Sequence, residues 1–417
     1  MSKLAIRGGT PVRNQAWPQW PVHGEAEKKQ LLEAFEAGNW GGFPFPQPKT
    51  RELGEAFAAY QDASYGAACA NGSISLEICL VAAGIVAGDE VIVPATTWIA
   101  TGAAPIRVNA VPVFVDVDPE NYCIDCDAVE AAITPRTRAI IPVHLGSSIA
   151  DLDRLVEICQ KHDLILLEDC AHAHGSKWRR KGVGSWGDFG SFSFQSSKIL
   201  TSGEGGLITT NDEQLHQKVQ SLINCGRKDD GYDTFEGQLL GYNARMTEFQ
   251  AGVMLAQLAR LEELTRKKEE NVHYLTHRMA AVGGLYAVRR DVRETRRGIY
   301  QFIWKYQAEE FKGLHRDRFL EALEAEGIEL DGMFYPPMPF HPLFNARSAE
   351  WPMLRERYGD GIQAPETLRK FSFPVGAKFA QEEGIWMHYP YLLAEKADLD
   401  DIVSAVAKIK SNVDELL

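Results

Sequence analysis

No stretch of this chain stays apolar for the ~18 residues that a membrane-spanning helix needs, and no charged-then-apolar leader opens it. The chain therefore reads as neither membrane-bound nor secreted. Positive charge is not in excess: 44 Lys and Arg against 57 Asp and Glu leave a formal net charge of −13. That balance argues against a broad nucleic-acid-binding face. The basic clusters Arg179-Arg180-Lys181 and Arg289 to Arg297 are short, the second is interrupted by acids, and both read as solvated surface. An even-numbered disulfide framework is missing too. Cys69, Cys79, Cys159 and Cys170, four of the seven cysteines, sit in apolar strands or helices, which suits reduced thiols in a cytoplasmic protein. Cys123-Ile124-Asp125-Cys126 has metal-ligand spacing, but no second Cys or His pair matches it, so no metal site is expected. Internal repeats and low-complexity segments are also lacking.

What remains is a long soluble chain, 45% hydrophobic and 24% charged over 417 residues, enough for two domains. Between residues 65 and 210, short apolar runs alternate with helical patterns. Glu90 to Pro94, Val111 to Val117, Arg138 to Val143 and Leu164 to Cys170 read as buried strands. Ser73 to Val86, Ile99 to Val108, Asp125 to Ile133 and Ile149 to His162 read as the helices between them. Such alternation predicts an α/β fold with a mainly parallel central sheet and helices on both faces. Thr247-Glu248-Phe249-Gln250 is a capping box that opens a long helix running toward Met279, broken by Gly283-Gly284. Beyond it a smaller α/β unit is expected, with helices from Arg316 to Glu326 and from Asp398 to about Leu416. The domains are placed at 1–265, the large one with its N-terminal segment, and 266–417. The proline-rich stretch Pro336 to Pro342 reads as an ordered loop.

The chemistry concentrates around one lysine. Ser191-Phe192-Ser193-Phe194-Gln195-Ser196-Ser197-Lys198 leads into Gly203-Glu204-Gly205-Gly206, and upstream an apolar strand ends in Glu168-Asp169-Cys170-Ala171-His172. A buried acid at a strand end, followed by a lysine in a Ser- and Gly-rich turn, is what a pyridoxal 5'-phosphate enzyme needs. The lysine can form a Schiff base with the cofactor aldehyde, and the acid keeps the pyridine nitrogen protonated. Asn71-Gly72-Ser73 stands directly before a helix, where backbone N–H groups and a hydroxyl can receive a phosphate; an ordinary N-cap is the plainer alternative. Trp98, after Val93 to Thr97, could stack on a flat ring or be a core tryptophan.

The order and wording of these segments resemble the DegT/DnrJ/EryC1/StrS aminotransferases, a family of fold-type I pyridoxal phosphate enzymes, over most of the chain. The resemblance implies catalysis by Lys198 and Asp169, and a cofactor held by Asn71, Gly72, Ser73, Trp98, Asp169, His172, Ser193 and Lys198. His172 takes the place of the residue that contacts the cofactor's phenolic oxygen. Gly241-Tyr242-Asn243-Ala244-Arg245-Met246 resembles the family segment whose Asn reaches the neighbour's cofactor phosphate, so Asn243 implies a homodimer with shared sites. The openings Gly8 to Arg13 and Trp17 to Pro21, with His388 to Leu393, are nearest to the branch that holds glutamine:scyllo-inosose aminotransferases and 3-amino-5-hydroxybenzoate synthases. Gln301 stands where sugar-nucleotide members commonly carry a His. The expected activity is transfer of an amino group from glutamine or glutamate to a keto-cyclitol or keto-sugar, in aminocyclitol, amino-sugar or antibiotic biosynthesis. Alternatives are an aromatising dehydratase of the hydroxybenzoate type, a sugar-nucleotide aminotransferase, and a non-catalytic regulator of the same fold. Tyr242, Arg245, Gln301, His341 and His388 are candidate contacts to the small-molecule donor or acceptor.

Overall fold

The computed structural model describes residues 3–228 and 231–417. The first five strands, β1 (Tyr65–Cys69), β2 (Glu90–Pro94), β3 (Val111–Val115), β4 (Thr137–Ile140) and β5 (Ile165–Asp169), are followed by a short hairpin, β6 (Lys177–Trp178) and β7 (Lys181–Gly182). Then come β8 (Phe189–Ser193) and β9 (Gly206–Thr210), and a seven-stranded sheet forms in the order β1-β9-β8-β5-β4-β2-β3. β9 runs antiparallel to both neighbours; the pairs β2–β3, β2–β4, β4–β5 and β5–β8 are parallel.

The even apolarity of these strands has a direct cause. Val91 and Val93 point into a core with Leu76, Ile78 and Cys79 of α3 (Gly72–Ala82) and Val219 and Leu222 of α7 (Glu213–Ile223). Ile92 points the other way, among Val129 of α5 (Cys126–Ala132) and Leu155 and Ile158 of α6 (Leu152–His162). Both faces are covered, so neither can be polar. The remaining helices of this unit are α1 (Glu25–Glu36), α2 (Pro48–Tyr60) and α4 (Ile99–Arg107).

The capping box forms as its spacing predicts, Thr247 and Gln250 bonding reciprocally, and α8 runs Glu248–Val282 up to Gly283. Its later turns bring Leu275 and Met279 into a second core with Phe302, Trp304, Phe319, Ile402 and Val406. The strands there are β10 (Leu285–Ala287), β12 (Gln301–Tyr306) and β13 (Gly384–His388), while β11 (Glu294–Arg296) crosses back to pair with β6. Helix α9 (Arg316–Ala325) and the C-terminal helix (Lys396–Ser411) cover this sheet. Leu4, from the start of the chain, belongs to the same core.

Two readings are corrected. Part of the Ser-rich turn before Lys198 is strand β8, fully buried. The basic run from Arg289 to Arg297 is not all solvated: Arg293 pairs with Asp151, Asp153 and Asp291 at 2.8 Å each, and Arg297 is 4% exposed and bonded to Glu294. Its partners are the acids within the run together with the distant Asp151 and Asp153, and the second pair is what sequence order alone does not show. The proline-rich loop holds a short turn, Met338–Phe340, and docks on the large sheet through the Met338 N–H to the Ala95 carbonyl at 2.6 Å. Phe344, Tyr358 and Phe373 anchor the rest of that excursion beside Phe114. Among the described residues, no helix is long and apolar enough to cross a membrane.

Candidate active site

The carboxyl ends of β1, β2, β5 and β8 open into one cavity of about 710 Å³. This is where a doubly wound sheet collects ligands. β5 delivers Asp169 and the adjacent β8 delivers Ser193, with Asp169 in register with Ser191. The turn after β8 then places Lys198 opposite the acid, closed by the Lys198 N–H to the Gln195 carbonyl at 2.8 Å. β1 ends at the Asn71-Gly72-Ser73 turn, where the Asn71 side chain caps α3 by accepting from the Ile74 N–H at 2.9 Å. A Cβ on Gly72 would lie 2.6 Å from the Ser193 Cβ, so only glycine lets this turn approach the strand end. Trp98 begins α4 and is 47% exposed, its ring open to the cavity.

Asp169 is 6% exposed and accepts from the Thr101 hydroxyl at 2.9 Å and the Ala171 N–H at 3.2 Å. It belongs to no ion pair among the described residues. Burial raises its pKa above the usual carboxylate value, although the Thr101 and Ala171 bonds and the nearby Lys198 charge pull it down. Burial also brings Lys198 down to about 8, against the attraction of Asp169. His172 Nδ1 accepts from the Gly146 N–H at 3.2 Å, so its proton sits on Nε2. Burial and the Lys198 charge hold this ring neutral. Directly behind Asp169, Glu168 accepts from His144 and from the Gly184, Trp186 and Gly187 N–H groups. With Cys170 alongside, these residues form a compact buried group, and its bonds tie β5 to the 184–187 turn.

The structure thus brings Asn71, Gly72, Ser73, Trp98, Asp169, His172, Ser193 and Lys198 to one cavity. Asn243 is exposed and does not line the cavity, while its neighbour Ala244 is buried and accepts from the Ala70 N–H at 2.7 Å. Arg245 bonds the Asn224 side chain at 3.1 Å, and Tyr242 packs on the large core. His341 accepts from the Leu343 N–H at 3.1 Å and stays in its own turn. Gln301 is fully buried and bonds His388 at 2.9 Å, which bonds Asp331 at 2.9 Å; none of the three lines the cavity. Sequence reasoning missed Tyr300, Phe334 and Tyr335, which the second unit contributes to the cavity wall. No motif marks them. Thr101 carried a usable signal, standing three residues after Trp98 on the same helix face.

The site fits pyridoxal phosphate on its own chemistry. A buried carboxylate that forms no direct ion pair, an amine of lowered pKa and a hydroxyl-lined helix N-terminus are the complements of a pyridinium, an aldehyde and a phosphate. The fold is that of the fold-type I transferases. The chain belongs to the DegT/DnrJ/EryC1/StrS aminotransferase family, whose model matches residues 23–358. It is 49% identical over 417 residues to a protein of Streptoalloteichus tenebrarius named, provisionally, L-glutamine:3-amino-2,3-dideoxy-scyllo-inosose aminotransferase, covering 100% of this chain and 99% of the relative. It is 37% identical over 429 residues, covering 100% of both chains, to the L-glutamine:2-deoxy-scyllo-inosose aminotransferase of Micromonospora echinospora. The crystal structure of 3-amino-5-hydroxybenzoic acid synthase superposes with a TM-score of 0.80 at 31% identity, covering 95% of this chain and 99% of that one.

Proposed function

We propose that this aminotransferase uses pyridoxal 5'-phosphate to carry the α-amino group of L-glutamine, or of glutamate, to the ketone of a free keto-cyclitol. The acceptor is of the scyllo-inosose type, as in the names of the full-length relatives. The observation that carries the cofactor reading is the facing of Lys198 and a buried Asp169, which forms no ion pair among the described residues, across one cavity.

When bound, the cofactor supplies a carbonyl that amines attack and a ring that draws electrons from the substrate's α-carbon. The amides at the start of α3, with Ser73 and Ser193, receive its phosphate. Asp169 would pair with the ring nitrogen, and His172 would donate from Nε2 to the ring's hydroxyl oxygen. Trp98 would give the ring an aromatic wall. Lys198 Nζ would take the substrate's α-proton and return it, its lowered pKa suiting both roles near neutrality.

The cavity lining supports a free acceptor over a nucleotide-linked one. Among the described lining residues the only fixed cation is Lys198, against the carboxylates Asp169 and Glu204, which is a poor match for a pyrophosphate. A homodimer completes the reading. Leu31, Leu32, Phe35, Trp40 and Phe43 are all exposed, and Arg227 lies over the Phe43 ring at 6.0 Å, so this apolar face adjoins the segment that bears Asn243. A second copy on this face would receive the Asn243 amide at its cofactor phosphate. The unpaired state of all seven cysteines fits a reducing compartment, the cytoplasm. Likeness to 3-amino-5-hydroxybenzoic acid synthase keeps a second reading open, dehydration and aromatisation on the same lysine.

Purified enzyme with pyridoxal phosphate and α-15N-glutamine, offered a keto-cyclitol, a nucleotide-linked keto-sugar or an aminodehydroquinate, tests this directly. Labelled aminocyclitol is the expected product by mass. Strong preference for the nucleotide-linked sugar would overturn the acceptor assignment, and aromatic product would establish the second reading.

A further inference from the structure

Lys198 has a neighbour that no motif announces. Its Nζ lies 4.2 Å from the centre of the Tyr300 ring. That ring is 4% exposed and fixed on every side. It stacks on His172 at 4.1 Å and 23°, its hydroxyl meets the Ser197 hydroxyl at 3.0 Å, and its backbone N–H bonds the Gly146 carbonyl at 3.2 Å. Tyr389, 6.2 Å from it, donates its own hydroxyl to the Lys198 carbonyl at 3.3 Å. Both tyrosines come from the second unit, one just before β12 and one just after β13. The second unit therefore holds the catalytic lysine at two points, its backbone and its amine.

We propose that Tyr300 is a positioning residue of the transamination: its ring face is the resting place of the Lys198 amine whenever that amine is not covalently engaged, and it stabilises the form that carries the proton. This rests on the cofactor reading above. Between taking the substrate's α-proton and returning it, the amine is an ammonium ion in a poorly hydrated wall. An aromatic face attracts the ammonium through its quadrupole and is indifferent to the neutral amine. It adds no second base that could take the proton away, because the Tyr300 hydroxyl is itself kept protonated by burial.

The other groups around Lys198 do not duplicate this. Asp169 attracts the ammonium but is committed to the ring nitrogen. His172 and His174 are held neutral. Tyr335 is protonated, Glu204 stands exposed at the rim, and Lys268 lies behind Tyr389 with its amine 5.4 Å from that ring.

The test varies the quadrupole at constant shape. Tyr300→Phe is prepared, then the same position is filled with mono-, di- and trifluorinated phenylalanine, which keep the ring's packing and drain its face of charge. In cofactor-free enzyme, the pH dependence of Lys198 acylation by a trace amine reagent reports the pKa of the amine. Tyr300→Phe should match the wild type. The fluorinated series should step downward to a total of about one pKa unit, a tenfold loss of ammonium, as expected for a desolvated cation–π contact. A flat series, or a Tyr300→Phe variant shifted as far as the trifluorinated one, overturns the proposal. Borohydride trapping with pyridoxal phosphate on the same preparations separates the two readings. A tag at Lys198 with a flat series refutes Tyr300 alone, whereas no tag at Lys198 overturns the cofactor reading and this inference with it.

Discussion

The Thr101 hydroxyl donates to Oδ2 of Asp169 at 2.9 Å, and both side chains are almost wholly shielded from water. One turn of α4 thus carries an aromatic wall at Trp98 and, three residues on, a donor that favours the ionised form of a buried carboxylate. Without that donor, burial would act on Asp169 with less opposition.

Thr101→Val keeps the shape and removes the donor. A hydrogen bond to a charged group is worth about 1.5–3 kcal/mol, so turnover near pH 7 should fall roughly ten- to a hundredfold. The Asp169 pKa is already raised and would rise further, so the acidic limb of the kcat profile should move to higher pH and activity should partly recover there. Asp169→Asn should lose most activity at every pH, since breaking a buried ionic partnership costs about 3–5 kcal/mol. Steady-state rates across pH check both, and near-wild-type rates in the Asn variant would leave Asp169 a structural role only.

Lys198→Met should abolish turnover and stabilise the cofactor-free protein in a pH-dependent way. The folded-state pKa of Lys198 is about 8, below its unfolded value of 10.5. Below pH 8 both states are charged and folding bears the full cost of burying the ammonium. That cost fades as pH rises from 8 to 10.5, where the unfolded state alone holds the proton. The variant's gain in Tm should therefore be largest at pH 7 and small above pH 10.5. A gain independent of pH would show that packing, not charge, is responsible.

Gln301 is buried with its Oε1 unpartnered and its Nε2 bonded to His388. His388→Phe would strip the amide of its bond to the imidazole and should destabilise by about 1–3 kcal/mol in urea unfolding. Gln301→Met in that background should restore most of the loss. If the double variant is no better than the single, the pair is not coupled.

Much of this was legible because the signals were local. Glu90–Pro94 was read to the residue, and α8 began where Thr247 and Gln250 required. Asp169 sits at the end of a strand that its apolar run locates, whereas Lys198 and the Asn71-Gly72-Ser73 turn are marked by their own Ser- and Gly-rich wording, since β1 and β8, the strands before them, carry no such run. β8 and β9 were not anticipated, and the reason is tertiary. Phe189-Gly190-Ser191-Phe192-Ser193 looks like a turn, yet Gly190 is glycine because a Cβ would strike Gly184 and Thr209 across the sheet. Tyr300, Phe334 and Tyr335 were invisible for a similar reason: they reach the cavity from more than a hundred residues beyond Lys198, by a route only the folded chain defines.

Asn243 should act in trans. Lys198→Ala chains, inactive alone, mixed with impaired Asn243→Ala chains, should form heterodimers with one intact site and regain activity. Confirmed heterodimers without that recovery would place Asn243 within its own subunit's chemistry or outside it.

The central claim is that Lys198 is the residue that holds the cofactor, and the chain contains a real competitor. Lys268 is 2% exposed, bonds the Ile299 carbonyl at 3.0 Å, and is brought by burial to a pKa of about 7, lower than Lys198 itself. Enzyme incubated with pyridoxal phosphate, reduced with borohydride, digested and sequenced by mass spectrometry decides between them. The pyridoxyl mass should fall on the peptide bearing Lys198, and it should vanish in Lys198→Ala; a tag on Lys268, or one that survives that substitution, would contradict the account.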